Sequence, residues 1–124
     1  LVCPLIQEVS LDDGAYVTPV KPEKKILTFG DSITQGYDAT RSSLRYATVL
    51  ADKLGAEERC KAIGGEIFFP GLAATKEDFQ PDYITVAYGT NDWAICLEED
   101  FKANCFAFFA NLAENYPNAK IFVF

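Results

Sequence analysis

Apolar residues in this chain fall into short runs separated by stretches of helical spacing, and that alternation predicts the fold. Ile26-Leu27-Thr28-Phe29 reads as a short buried strand. Leu44, Ala47, Leu50, Ala51 and Leu54 then recur at helical spacing, with Ser42 or Ser43 as the expected N-cap and Gly55 as the stop. Cys60 to Ile63 reads as a second strand ended by Gly64-Gly65, and Tyr83 to Tyr88, introduced by Pro81, as a third. Phe101, Cys105, Phe108, Phe109 and Leu112 mark a strongly amphipathic second helix closed by Tyr116-Pro117-Asn118, after which Lys120 to Phe124 opens a fourth strand. Strands alternating with helices imply a parallel sheet with right-handed crossovers, so the expected class is α/β: a flavodoxin-like, three-layer α/β/α fold.

The two ends follow other patterns. From Gln7 to Val20 apolar and polar residues roughly alternate around the turn signal Asp12-Asp13-Gly14, which predicts a hairpin or a pair of strand extensions. Pro19 and Pro22, among Lys21, Glu23, Lys24 and Lys25, form a stiff polar connector of the kind found at domain boundaries. Residues 1–24 are therefore expected to be a β-hairpin and linker, the tail of an upstream β domain being one reading, with an α/β domain over 25–124. With Leu1 in place of Met, a segment removed upstream is the expectation. A buried-type strand at Ile121-Phe122-Val123-Phe124 is normally followed by more fold, so the domain is expected to be truncated after its fourth strand. The apolar edge left there is expected to favour self-association through that strand.

Composition narrows the functional classes. A chain of 124 residues suits one domain, and 49% apolar content with ten Phe and six Tyr supplies a sizeable core. A net charge of -7, without any Lys/Arg cluster, opposes nucleic acid and anionic membrane surfaces as partners. No apolar stretch approaches the ~20 residues of a membrane span, and the N-terminus lacks the basic and apolar regions of a signal peptide. The chain reads as soluble, with a cytoplasmic location favoured over a secreted one. Cys3, Cys60, Cys96 and Cys105 lie far apart without a C-x-x-C pair, and the chain contains no histidine to complete a zinc site. Reduced, buried thiols are expected, and no metal or cofactor.

The chemistry gathers at the ends of the predicted strands. Gly30-Asp31-Ser32 follows the first strand and delivers a hydroxyl to the rim of the sheet, where α/β proteins bind and react with ligands. Ser32 is a candidate nucleophile, and its backbone N–H can face a developing oxyanion. Gly65 follows the second strand, where the lack of a side chain lets its N–H approach a substrate closely. Gly89-Thr90-Asn91-Asp92 follows the third, so that Asn91 can add a side-chain N–H. Each segment alone also reads as a turn or cap, but together they offer three donors beside one hydroxyl. Asp31, Asp38 and Asp92 are poor acceptors for a serine proton, since an ordinary carboxylate has a pKa of about 4. Lys24 and Lys25 sit at the opposite end of the first strand.

These segments resemble the GDSL, or SGNH, family of serine ester hydrolases. Gly30-Asp31-Ser32-Ile33-Thr34-Gln35-Gly36 is similar to the family's first block, Gly65 to the glycine of the second, and Gly89-Thr90-Asn91-Asp92 to the Gly-x-Asn-Asp of the third. The resemblance runs from Lys25 to Phe124. It implies Ser32 as nucleophile, Gly65 and Asn91 in the oxyanion hole with the Ser32 backbone, and Gly30, Asp31, Gly89 and Asp92 in support. It also implies small acyl esters as substrates, acetylated carbohydrates among them. Trp93, next to the third block, is a candidate substrate contact, although a packed core or rim position also suits it. Two departures stand out: Cys60 occupies a position that is often Asn in relatives, and the family's C-terminal Asp-x-x-His block has no counterpart here. Two other classes of function therefore remain open. One is a non-catalytic binding module on the same fold; the other is a magnesium-dependent phosphoryl-transfer domain using Asp31 and Asp92.

Overall fold

The computed structural model describes residues 6–124, so Leu1 and the Cys3 thiol lie outside the described residues. Strand β1 (Lys24–Gly30) is followed by a short helix, α1 (Ser32–Gln35), a 3-10 turn at Ser42–Leu44 and helix α2 (Tyr46–Leu54). Strand β2 (Ala56–Ala62), helix α3 (Pro70–Ala74), strand β3 (Tyr83–Ala87), helices α4 (Thr90–Ile95) and α5 (Glu98–Asn115), and strand β4 (Lys120–Val123) complete the order. All strand pairs are parallel and the sheet order is β2-β1-β3-β4. That is the flavodoxin-like order as far as it extends, as expected from the alternation of strands and helices.

Parallel register sorts the strand residues onto two faces, because paired residues point the same way. Leu27, Phe29, Ile84 and Val86 are fully buried under α3 and α5, together with Phe68, Phe79, Phe108 and Leu112. Thr28 faces α2, where its hydroxyl donates to Glu58 Oε1, a carboxylate that also accepts from Thr48 of α2 and from Arg45. Gly55 ends α2 in the left-handed conformation (φ +60°), and its N–H closes on the carbonyls of Ala51 and Asp52, the stop its position predicts.

Several boundaries differ from the sequence expectation. The hairpin expected over Gln7–Val20 does not form. Only its turn is present, with Ala15 N–H donating to Asp12 C=O at 3.0 Å and Gly14 at φ +80°. Ile6, Val9, Leu11, Tyr16, Val17 and Val20 are exposed with no sheet beneath them, and two strands alone are marginal in water. Ser42 and Ser43 lie in the 3-10 turn and cap nothing; the N-cap of α2 is Arg45, without a side-chain bond. Strand β2 begins four residues earlier than Cys60, since Glu58 and Arg59 find partners across the fold. Helix α3 occupies part of the segment expected to be irregular. Cys60, Cys96 and Cys105 are free but only partly buried, which corrects the expectation of buried thiols.

Candidate active site

In this strand order the chain steps from β1 out to β2 and then returns to the other side of β1 with β3. The crevice outside the carboxyl ends of β1 and β3 is a topological switch point, the usual ligand position in such sheets. Ser32 follows β1 and Asn91 follows β3, so both candidate groups stand at this crevice.

The turn after β1 is tightly packed. A Cβ at Gly30 would overlap Thr34 Oγ1 and lie 2.8 Å from the Ala87 carbonyl, so only glycine lets β1 run this close to α1 and β3. Asp31 is buried and caps α1: its Oδ1 accepts the Ile33 N–H at 2.9 Å. Ser32 is then the first residue of α1, half-buried at the rim. Asp38, the third carboxylate near the first block, is exposed in a turn at φ +61°.

The turn after β2 stands beside the serine. A Cβ built on Gly64 would lie 3.7 Å from Ser32 Cβ and 3.4 Å from Gln35 Oε1. Gly65 adopts φ +81° within the turn closed by Glu66 N–H and Ile63 C=O at 3.1 Å, a conformation that favours glycine. Space around Gly65 is open, with nothing within 4 Å of a built Cβ.

The third segment ties the other two together. Asn91 Nδ2 donates to the Glu66 carbonyl at 2.9 Å and lies 3.4 Å from Asp31 Oδ2. The first bond is firm; the second is at the long limit of hydrogen bonding, which leaves one amide hydrogen free to be redirected. Asp92 is buried, and its carboxylate accepts the Phe68 N–H at 3.0 Å and the Gly89 N–H at 3.1 Å. The structure thus brings Gly30, Asp31, Ser32, Gly65, Gly89, Asn91 and Asp92 into one neighbourhood. Both oxygens of Asp92 are engaged by main-chain donors, and Asp31 by Ile33 and Asn91, which gives the pair a structural task. No cluster of three or more His, Cys, Asp or Glu groups is placed to hold a metal ion among the described residues.

Trp93 is placed differently. It is 92% exposed, which removes the packed-core reading. It lines a cavity of about 530 Å3 with Gly89, Asp92, Cys96, Glu98, Phe101 and Lys102, whereas the cleft of about 350 Å3 flanking the serine turn is lined by Asp31, Ile33, Tyr46, Ala87, Tyr88, Thr90 and Phe124. Two residues along α4, Trp93 is turned about 200° from Asn91. Tyr88 and Gln35 are neighbours of the site that sequence reasoning left without a role. The Tyr88 hydroxyl is buried without a well-formed hydrogen bond among the described residues; burial, followed by the Glu66 carboxylate, holds its pKa well above the usual tyrosine range, with the Gly30 main chain opposing weakly.

The sequence model of the GDSL-like lipase/acylhydrolase family matches residues 28–124. A search of the curated proteins finds no match. Among solved structures, a family two carbohydrate esterase from Clostridium thermocellum in complex with cellohexaose is similar at 21% identity and a TM-score of 0.74, over 87% of this chain and 44% of that one. A family two carbohydrate esterase from Cellvibrio japonicus is similar at 25% identity and a TM-score of 0.72, over 85% and 43%. A carbohydrate esterase family 2 enzyme plus carbohydrate binding domain from Corynascus thermopiles (Myceliophthora fergusii) is similar at 21% identity and a TM-score of 0.71, over 90% and 47%. The chain spans less than half the length of each of these three.

Proposed function

Because the chain belongs to the GDSL-like lipase/acylhydrolase family, we propose that it is the nucleophile-bearing part of a serine ester hydrolase acting on small acyl esters, acetylated carbohydrates among them. Ser32 Oγ attacks the acyl carbonyl, and the negative charge that develops on the carbonyl oxygen is met by the Ser32 N–H, the Gly65 N–H and the redirected Asn91 amide. The observation that carries this reading is the junction made by Asn91, whose amide touches both the Asp31 turn that presents the serine and the Glu66 carbonyl beside Gly65. The carbohydrate esterases of similar fold support the substrate class. Trp93, on the other side of α4, reaches only a substrate that extends beyond the reacting ester.

Serine must lose its proton during attack, and none of the 124 residues is a histidine. In this proposal the base comes from an Asp-x-x-His block outside this stretch. A positioned base contributes ~10²- to 10⁴-fold, so the 124-residue chain is expected to hydrolyse an aryl acetate at no more than a trace rate. A form extended to include that block is expected to turn over and to lose activity on Ser32→Ala. Robust Ser32-dependent turnover by the 124 residues would overturn the account of the base, and an extended form indifferent to Ser32→Ala would overturn the nucleophile. A second reading is a non-catalytic binding module on the same fold. An extended form that binds an acetylated sugar without turnover is the result that selects it.

A further inference from the structure

We propose that Gln35 is a positioning residue for the turn that carries the Gly65 N–H, an inference that rests on the oxyanion role given to Gly65 above. Between β2 and α3 the chain has no regular structure, and Ile63, Gly64 and Gly65 are exposed. Two adjacent glycines make this the most pliable stretch at the crevice, yet an oxyanion donor is effective only when its direction is set before the charge forms.

Three side chains grip the main chain of this stretch. Asn91 Nδ2 donates to the Glu66 carbonyl at 2.9 Å, and the Asp92 carboxylate accepts the Phe68 N–H at 3.0 Å. Both come from α4, and both act after the glycines. Gln35 acts before Gly65: its Oε1 accepts the Gly64 N–H at 3.0 Å. The Gln35 bond holds the peptide plane just before the one that bears the Gly65 N–H, and the Asn91 bond holds the plane two further on, so the donor plane is restrained from both sides.

Gln35 also belongs to the same element as the nucleophile. Ser32 and Gln35 are the first and last residues of α1, three apart and therefore on one side of a single turn. That turn is held by Asp31 at its start, where the Asp31 carbonyl accepts the Gln35 N–H at 3.0 Å, and by left-handed Gly36 (φ +105°) at its end. One rigid unit thus carries the attacking oxygen and the acceptor that locates the Gly64-Gly65 turn beside it. The spacing between nucleophile and oxyanion donor is set within α1.

The test has two readouts. Amide hydrogen exchange of Gly64, followed by NMR in the 124-residue chain, reports the bond directly. Exchange is expected to quicken about five- to tenfold in Gln35→Ala and to return toward the unsubstituted rate in Gln35→Glu, whose carboxylate is also an acceptor. Aryl acetate hydrolysis by the extended, base-containing form reports the consequence. Removing an oxyanion donor outright costs ~10²- to 10³-fold in kcat, so loosening one in Gln35→Ala is expected to lower kcat roughly tenfold with KM little changed, and Gln35→Glu to recover most of it. Unchanged Gly64 exchange in Gln35→Ala overturns the inference, as does unchanged kcat in an enzyme that Ser32→Ala inactivates. Turnover that persists in Ser32→Ala would instead remove the reading of the site on which the inference rests.

Discussion

The two faces of the sheet are built from alternate residues of the same strands, and they are packed very differently. Under α3 and α5, Phe108 is fully buried and meets Phe29, Phe68, Tyr88 and Phe109 at ring separations of 5.4 to 5.8 Å, all four contacts edge-on. On the other face α2 packs against β2 and β1. Tyr83, Phe122 and Phe124 flank an open cleft of about 270 Å3 there, with Ile26, Leu50, Leu54 and Thr85. The difference follows from helix length and placement. Helix α5 has eighteen residues and, paired with α3, contributes side chains to the core cluster of its face, whereas α2 has nine and packs mainly on β2. A strand residue's contribution is set by the helix above it, and two Phe residues can differ severalfold in what they do.

The sharpest way to break that comparison is to truncate one aromatic on each face. Phe108→Ala is expected to cost about 3–5 kcal/mol, the range for a fully buried aromatic that leaves a cavity. Phe122→Ala, at a position 48% exposed, is expected to cost less than about 1 kcal/mol. Urea denaturation of the two variants measures both, and equal losses would mean that the second face is covered in solution.

A smaller effect is expected at the edge. We propose that the chain self-associates through β4, which presents an unpaired row of backbone groups beside exposed Phe122, Val123 and Phe124. Val123→Lys is then expected to shift the chain toward monomer in size exclusion with light scattering. An unsubstituted chain that stays monomeric at high concentration would defeat this.

The smallest effect separates packing from hydrogen bonding on the closed face. The Tyr88 hydroxyl makes no well-formed hydrogen bond among the described residues and has only a weak contact with the Gly30 main chain, so Tyr88→Phe is expected to change stability by less than about 1 kcal/mol at neutral pH. Its pKa is raised in the folded state above the ordinary value of 10.0, by burial and then by Glu66. Above that value the unfolded chain ionises while the folded one stays neutral. The contribution is therefore intact below pH 10.0 and lost as pH rises toward the folded pKa. Tyr88→Phe is expected to make alkaline unfolding shallower, with Tyr46 and Tyr116, whose pKa values are also raised by burial, leaving part of the slope. An unaltered alkaline limb would place the sensitivity in those two residues.

What the sequence determined by itself was the order of the four strands and of helices α2 and α5, together with the three strand-end segments; α1, α3 and α4 were not foreseen. Short apolar runs, the glycine after α2 and the helical spacing from Phe101 to Leu112 act through contacts within a few residues, so they can be read locally. What it left open required partners distant in the chain. The charged first half of β2 does not look like a strand until Glu58 meets Arg45 at 2.8 Å and Arg59 lies over the Phe79 ring at 4.4 Å. The residues around Asp12-Asp13-Gly14 alternate like a hairpin yet form none, because alternation needs a surface to bury against. At the site, Ser32, Gly65 and Asn91 were legible as residue types at strand ends, whereas the tasks of Gln35 and Asp92 were not. Each includes a hydrogen bond to a backbone group 24 to 29 residues away, and such a bond leaves no local periodicity. Only the parallel order β2-β1-β3, which folds those strand ends onto one crevice, decides which amide meets which acceptor.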